Sequence, residues 1–146
     1  MKDLENEMLE WQGVSYKTIL SREVSGGVMT IVDSVSPPMS GPPLHVHDNE
    51  DEVFVILSGE IIYMLDGKKG HAGPGETLFI PRGVEHTFQV PGDVPCRHLV
   101  ILTPGGFEGF FAEMAKHNFA IPADMDAVVE SAARHGCRFT GPPMEV

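Results

Sequence analysis

Residues 41–59, GPPLHVHDNEDEVFVILSG, decide how the rest of the chain reads. His45 and His47 stand two apart. On a strand, residues i and i+2 point to one face, so both imidazoles reach one point. Glu52 lies an odd number of residues beyond His47, and an unbroken strand would turn it to the opposite face. The intervening Asp48-Asn49-Glu50-Asp51 is a polar turn run that can reset the direction. Residues 52–59, EVFVILSG, then read as a buried strand ending at Gly59. A strand, a turn and a second strand can thus deliver His, His and Glu to one place.

A fourth ligand follows in residues 75–90, GETLFIPRGVEHTFQV. Pro81 and Gly83 mark a turn, and His86 opens an apolar strand with His86, Phe88 and Val90 on one face. Three neutral imidazoles and one carboxylate suit one divalent transition metal: Fe, Ni, Mn, Co, Cu or Zn. Four protein ligands leave coordination positions open on a five- or six-coordinate ion, which is what catalysis needs.

These motifs resemble those of the cupins. The first cupin motif is G-x5-H-x-H-x(3,4)-E-x6-G, and here His45-x-His47 is followed by four residues, Glu52, six residues and Gly59. The second is G-x5-P-x-G-x2-H-x3-N, matched by Gly75, Pro81, Gly83 and His86. Two positions depart: the leading glycine falls at Gly41 with Met39 at its expected place, and Val90 replaces the final Asn. Neither departure removes a ligand. WQGVSY at 11–16, GPPLHVH at 41–47, TPGGFEGFF at 103–111 and RFTGPP at 138–143 resemble the single-domain bacterial cupins of the quercetin 2,3-dioxygenase-like group.

Outward from the motifs the chain reads as short strands and turns. VSYKTIL from Val14 and VMTIVDSV from Val28 are strands ahead of the exposed Ser36–Pro43 connection. Ser58-Gly59 joins VFVILSG to EIIYMLDG as an expected hairpin, and CRHLVILT from Cys96 is the last strong strand. Residues 107–116, FEGFFAEMAK, and about 124–135 carry apolar residues at helical spacing, which marks core-facing helices. The acidic stretch 1–10 is expected to form a helical turn. Many short strands indicate an all-β sandwich or barrel. The resemblance makes it a double-stranded β-helix, the jelly-roll cupin barrel, over about 13–104, with a C-terminal helical tail over about 107–146. Residues 1–146 read as one domain, a length that supports a core without disulfides.

A net charge of −11, from 21 acidic and 10 basic residues, argues against nucleic-acid and anionic-membrane partners. No apolar run near the start reads as a signal peptide and none is long enough to span a bilayer, so cytoplasm is the expected location. Cys96 and Cys137 are far apart and read as free thiols. The resemblance also implies a homodimer.

Strand parity places Phe54, Ile56, Phe88 and Val90 beside the metal as substrate-binding residues. An apolar wall favours a flat or hydrophobic small-molecule substrate. On the last strand either His98 or Arg97 faces the barrel interior. The resemblance implies a dioxygenase acting on a flavonol-like or other enolic substrate, with Glu52 doubling as the catalytic base. The alternatives are a redox-neutral metal-dependent isomerase or polyketide-type cyclase, and a non-catalytic small-molecule-binding cupin.

Overall fold

A computed structural model describes residues 5–145. The chain runs β1 (Met8–Trp11), β2 (Val14–Leu20), β3 (Thr30–Ser36), β4 (Pro43–His47), β5 (Asp51–Ser58), β6 (Ile61–Leu65), β7 (Lys68–Ala72), β8 (Thr77–Ile80), β9 (His86–Gln89), β10 (Cys96–Thr103), α1 (Glu108–His117), α2 (Met125–Arg134) and β11 (Cys137–Pro143). The strands form two antiparallel sheets, ordered β1-β2-β3-β10-β5-β8 and β11-β4-β9-β6-β7. This is the jelly-roll arrangement, and no helix among the described residues is long and apolar enough to cross a membrane.

Alternation along the strands builds the interior. On β10, Cys96, His98, Val100 and Leu102 point inward, and on β5 Glu52, Phe54 and Ile56 do so. Such a period of two is what a half-buried antiparallel strand requires. One apolar core joins Val32, Ile56 and Leu102 of the first sheet, Ile61 and Ala72 of the second, and Phe110, Met114, Val128 and Ala132 of the helices. Asp66 and Gly67 both have positive φ, 51° and 77°, which closes β6 and β7 into a two-residue hairpin.

Three expectations need correction. Ser58-Gly59 does not close a hairpin: β5 pairs with β10 and β8, whereas β6 pairs with β7 and β9. The turn carries the chain from one sheet to the other. Gly59 sits there at φ 75°, with the Pro95 backbone where a Cβ would lie. Met8–Trp11 is a strand paired with β2 rather than a helical turn, and residues 1–4 of that stretch lie outside the described residues. The tail is not wholly helical, because Cys137–Pro143 returns to the barrel as β11 beside β4. Its Pro142 and Pro143 argue against a central strand, but β11 is the edge of its sheet, where proline is tolerated.

Glu108 locks α1 onto the barrel. Its buried carboxylate accepts from Thr30 Oγ1 at 2.6 Å, from the Arg22 amide at 2.7 Å and from the Gly106 amide at 3.0 Å. Glu108→Ala would take this acceptor from the Thr30 hydroxyl and the Arg22 amide, while the Gly106 amide keeps Thr30 Oγ1 at 3.0 Å. The expected loss is about 3 kcal/mol, read as a lower denaturant midpoint with an unchanged slope.

Candidate metal centre

His45 and His47 lie two residues apart on β4, and His86 of β9 stands opposite His45 in the register. Glu52 comes from β5 of the facing sheet. The odd spacing from His47 to Glu52 is resolved by this change of sheet: the two strands face each other, so residues of opposite parity converge. All four residues are buried, and their ligand atoms lie within 4.8 Å of one another.

The outer ring nitrogens fix the tautomers. His45 Nδ1 is 2.8 Å from the Pro43 carbonyl and His86 Nδ1 is 2.9 Å from that of Val84. A carbonyl only accepts, so each Nδ1 carries the proton and each Nε2 turns a lone pair inward. His86 Nε2 then meets Glu52 Oε1 at 3.0 Å. Two acceptors at that distance need a positive charge, either a proton or a metal ion. His47 Nε2 is 3.7 Å from the same oxygen. The donor set therefore fits a borderline divalent metal: three imidazole nitrogens and one carboxylate, converging and buried.

Electrostatics agree with this geometry. Burial, reinforced by the other two histidines, lowers the His45 pKa to about 3. Burial likewise lowers that of His47. At Glu52 burial acts upward, but His47, His86 and His45 together outweigh it and bring the carboxyl down to about 2. At His86 burial acts downward and is outweighed by the bond to Glu52, so its pKa rises. At neutral pH the cluster thus holds an ionised carboxylate and two neutral imidazoles beside His86.

The centre opens onto a cavity of about 450 Å³. Its walls are aromatic: Trp11 and Tyr16 from β1 and β2, Phe54 and Phe88 from the two sheets, Phe107, Phe110 and Phe111 at the start of α1, and Phe139 from β11. Phe107 lies edge-on to His47 at 4.5 Å, and Tyr16 stacks on Phe111 at 4.2 Å.

Residues 34–102 match the cupin domain family. This chain carries a cupin domain. The cupin is 25% identical to quercetin 2,3-dioxygenase of Bacillus subtilis (strain 168) over 96 residues, which is 66% of this chain and 28% of that protein. The match thus spans little more than a quarter of that relative's length. Among solved structures, a "predicted oxalate decarboxylase" from Thermotoga maritima superimposes with a TM-score of 0.62 at 24% identity, covering 70% of this chain and 94% of that one. KdgF from Halomonas sp. gives 0.63 at 14% identity, covering 70% and 90%. At these identities the likeness is one of fold.

Of the residues assigned to the pocket from strand parity, Phe54 and Phe88 line the cavity of this cupin. Ile56 and Val90 do not; they are fully buried among core side chains. Parity sets the face of a strand but not what fills the space before it, and the Ile56 and Val90 side chains pack into the core cluster instead of the cavity wall. On β10, His98 faces in and Arg97 faces out, where it pairs with Asp33 at 2.7 Å. His71 bonds Glu60 on the surface, and His117 stacks on Phe119.

Two groups escaped the reading of the cupin's sequence. The Phe107, Phe110 and Phe111 stripe read as core, yet it also roofs the cavity. Helical spacing reports that a face is buried, not what it is buried against. The second is Glu50, whose buried Oε1 has no hydrogen-bond partner and lies 3.7 Å from His47 Nδ1, also buried and unpartnered. Burial and the charge of Glu52 push Glu50 up to about 7. Its place three residues after His47 was the only signal.

Acid should destabilise the metal-free cupin. Burial holds His45 at about 3 and His98 at about 4, both below the ordinary 6.5. The unfolded chain therefore takes up protons below about pH 6.5 while these folded imidazoles stay neutral, and stability falls as pH falls through that window. Glu50, between about 7 and its ordinary 4.5, and His86, which is also raised, act in the opposite sense, but the lowered His47 and Glu52 add to His45 and His98. Each pKa unit corresponds to about 1.4 kcal/mol, so His98 alone contributes on the order of 3 kcal/mol by pH 4. The melting temperature of the metal-free protein from pH 7 to 4 checks this, and a flat profile would contradict it.

Proposed function

We propose that this cupin is a metal-dependent dioxygenase of flat, apolar substrates that carry an enol or an enolisable carbonyl. One observation carries the reading: a buried three-histidine, one-glutamate donor set opens onto an aromatic cavity of about 450 Å³. That volume is typical of a small-molecule site, and aromatic walls reward a planar ligand. Among the described lining residues none is Lys or Arg, so a highly charged sugar phosphate or polycarboxylate finds no counter-charge.

His45, His47, Glu52 and His86 would hold the ion. When bound, such an ion supplies Lewis acidity toward an enolate oxygen and, if redox-active, access to dioxygen. The protein supplies the rest. Phe54, Phe88, Phe107 and Phe111 hold the ring plane and exclude water. Glu52, ionised at neutral pH, accepts the proton of the enol hydroxyl through a carboxylate oxygen. The Pro43 and Val84 carbonyls keep His45 and His86 in one tautomer throughout.

The test is metal content by mass spectrometry together with oxygen uptake by the metal-loaded protein against a flavonol panel. Bound Fe, Ni, Mn, Co or Cu with substrate-dependent oxygen uptake is the expected result. Turnover without oxygen consumption would replace the dioxygenase with a redox-neutral isomerase or cyclase. Failure to bind any divalent metal would overturn the donor set itself.

A further inference from the structure

His98 is a histidine of the cavity that does not belong to the donor cluster. It is 2% exposed and lines the cavity from β10. Its ring lies against the two aromatic residues of the central wall, 5.2 Å from Phe54 and 5.5 Å from Phe88. Its Nε2 is 3.2 Å from Ser36 Oγ on the neighbouring β3. Its Nδ1 is buried and has no hydrogen-bond partner in the protein. Buried polar atoms are nearly always paired, so an orphan in a cavity wall calls for an explanation.

The register shows how far His98 stands from the metal ligands. Glu52 is opposite Leu102 on β10, whereas His98 is opposite Ile56. Four strand residues separate the two levels, about 13 Å along the sheet. Phe54 occupies the level between them. The cavity therefore has two polar ends separated by an aromatic middle. One end is the donor cluster, and the other is His98 with Ser36. The serine hydroxyl can donate one bond and accept two, so its contact with Nε2 leaves capacity for a ligand.

We propose that His98 and Ser36 form a second anchor, which selects planar ligands bearing a neutral hydroxyl or carbonyl at the end remote from the metal-bound enol. It rests on the reading of the cavity as the substrate site. The preference for a neutral group follows from chemistry. The imidazole is neutral near pH 7, because burial brings it down to about 4, so it offers one donor and one acceptor rather than a charge. A carboxylate or ammonium there would be buried without a counter-ion.

The experiment compares two probes under nitrogen: unsubstituted flavonol, and flavonol with one phenolic hydroxyl on its pendant ring. Each is titrated by calorimetry into the metal-loaded wild type and into metal-loaded His98→Phe. Wild type should bind the hydroxylated probe about tenfold more tightly, the size of one net hydrogen bond. His98→Phe should bring the two affinities together. A histidine that only filled the core would leave the preference unchanged. If His98→Phe does not fold, Ser36→Ala makes the same comparison from the other partner. Equal affinities in wild type, a preference that survives in the variant, or no binding of either probe would each overturn the anchor. A preference lost in the variant, in a protein that consumes no oxygen, would support the anchor while removing the dioxygenase reading.

Discussion

His86→Ala should lower the affinity for divalent transition metals on the order of 100-fold or more. Loss of a ligand's outer hydrogen-bond partner already costs roughly 10–100-fold, and loss of the ligand itself costs at least the upper end of that range. His86 is the most constrained member of the set. Val84 holds its Nδ1 at 2.9 Å, and its Nε2 faces Glu52 at 3.0 Å. No neighbouring side chain among the described residues can replace it, since His98 lies at a different level of the barrel and is paired with Ser36. The substitution also removes the direct partner of a buried carboxylate, so the Glu52 pKa should rise and protons should compete harder for it. Metal per chain after equilibration in limiting free metal is the readout. His71→Ala is the control, because that exposed residue bonds only Glu60 and should leave metal content unchanged. Full occupancy in His86→Ala would remove His86 from the ligand set.

Glu52→Gln separates holding the metal from using it. Glutamine keeps the shape and one carbonyl oxygen, so part of the metal binding should survive. Its NH2 group can donate to His86 Nε2, which already presents a lone pair because Nδ1–H is taken by Val84. The barrel should therefore tolerate the change. The amide cannot take a proton from an enol at neutral pH, and turnover of a flavonol should fall about 10²–10⁴-fold, the usual contribution of a positioned base. Rates are compared per bound metal, so that lost occupancy is not mistaken for lost chemistry. Undiminished turnover per metal would show that proton transfer goes elsewhere.

The donor cluster was legible because its information is local. His45-x-His47, Glu52 and His86 each sit beside their own turn, and residue type and spacing carry the geometry. The strand parity of β5 was legible for the same reason, whereas on β10 the choice between His98 and Arg97 stayed open until the structure turned His98 inward. What failed were statements about partners. Ser58-Gly59 is compatible both with a hairpin and with a crossing between sheets, and only the pairing of β5 with β10, forty residues away in places, decides between them. The Cys137–Pro143 strand was hidden by its two prolines, which are acceptable only because an edge position leaves their missing donors unneeded. Glu50 looked like part of a solvated acidic run until the fold brought its carboxylate against His47.

The pairing of β11 with β4 has a temporal consequence. His45 and His47 sit opposite Phe139 and Cys137, and Arg138 reaches Asp48 across a separation of 90 residues. At a synthesis rate of roughly 5–20 residues per second, about 5–20 s pass between the making of the ligand strand and of the strand that covers it. Throughout that interval β4 is an open edge, exposed to pairing with other nascent chains. A ribosome stalled ahead of residue 137 would release a chain that has every ligand and lacks the wall that shelters them.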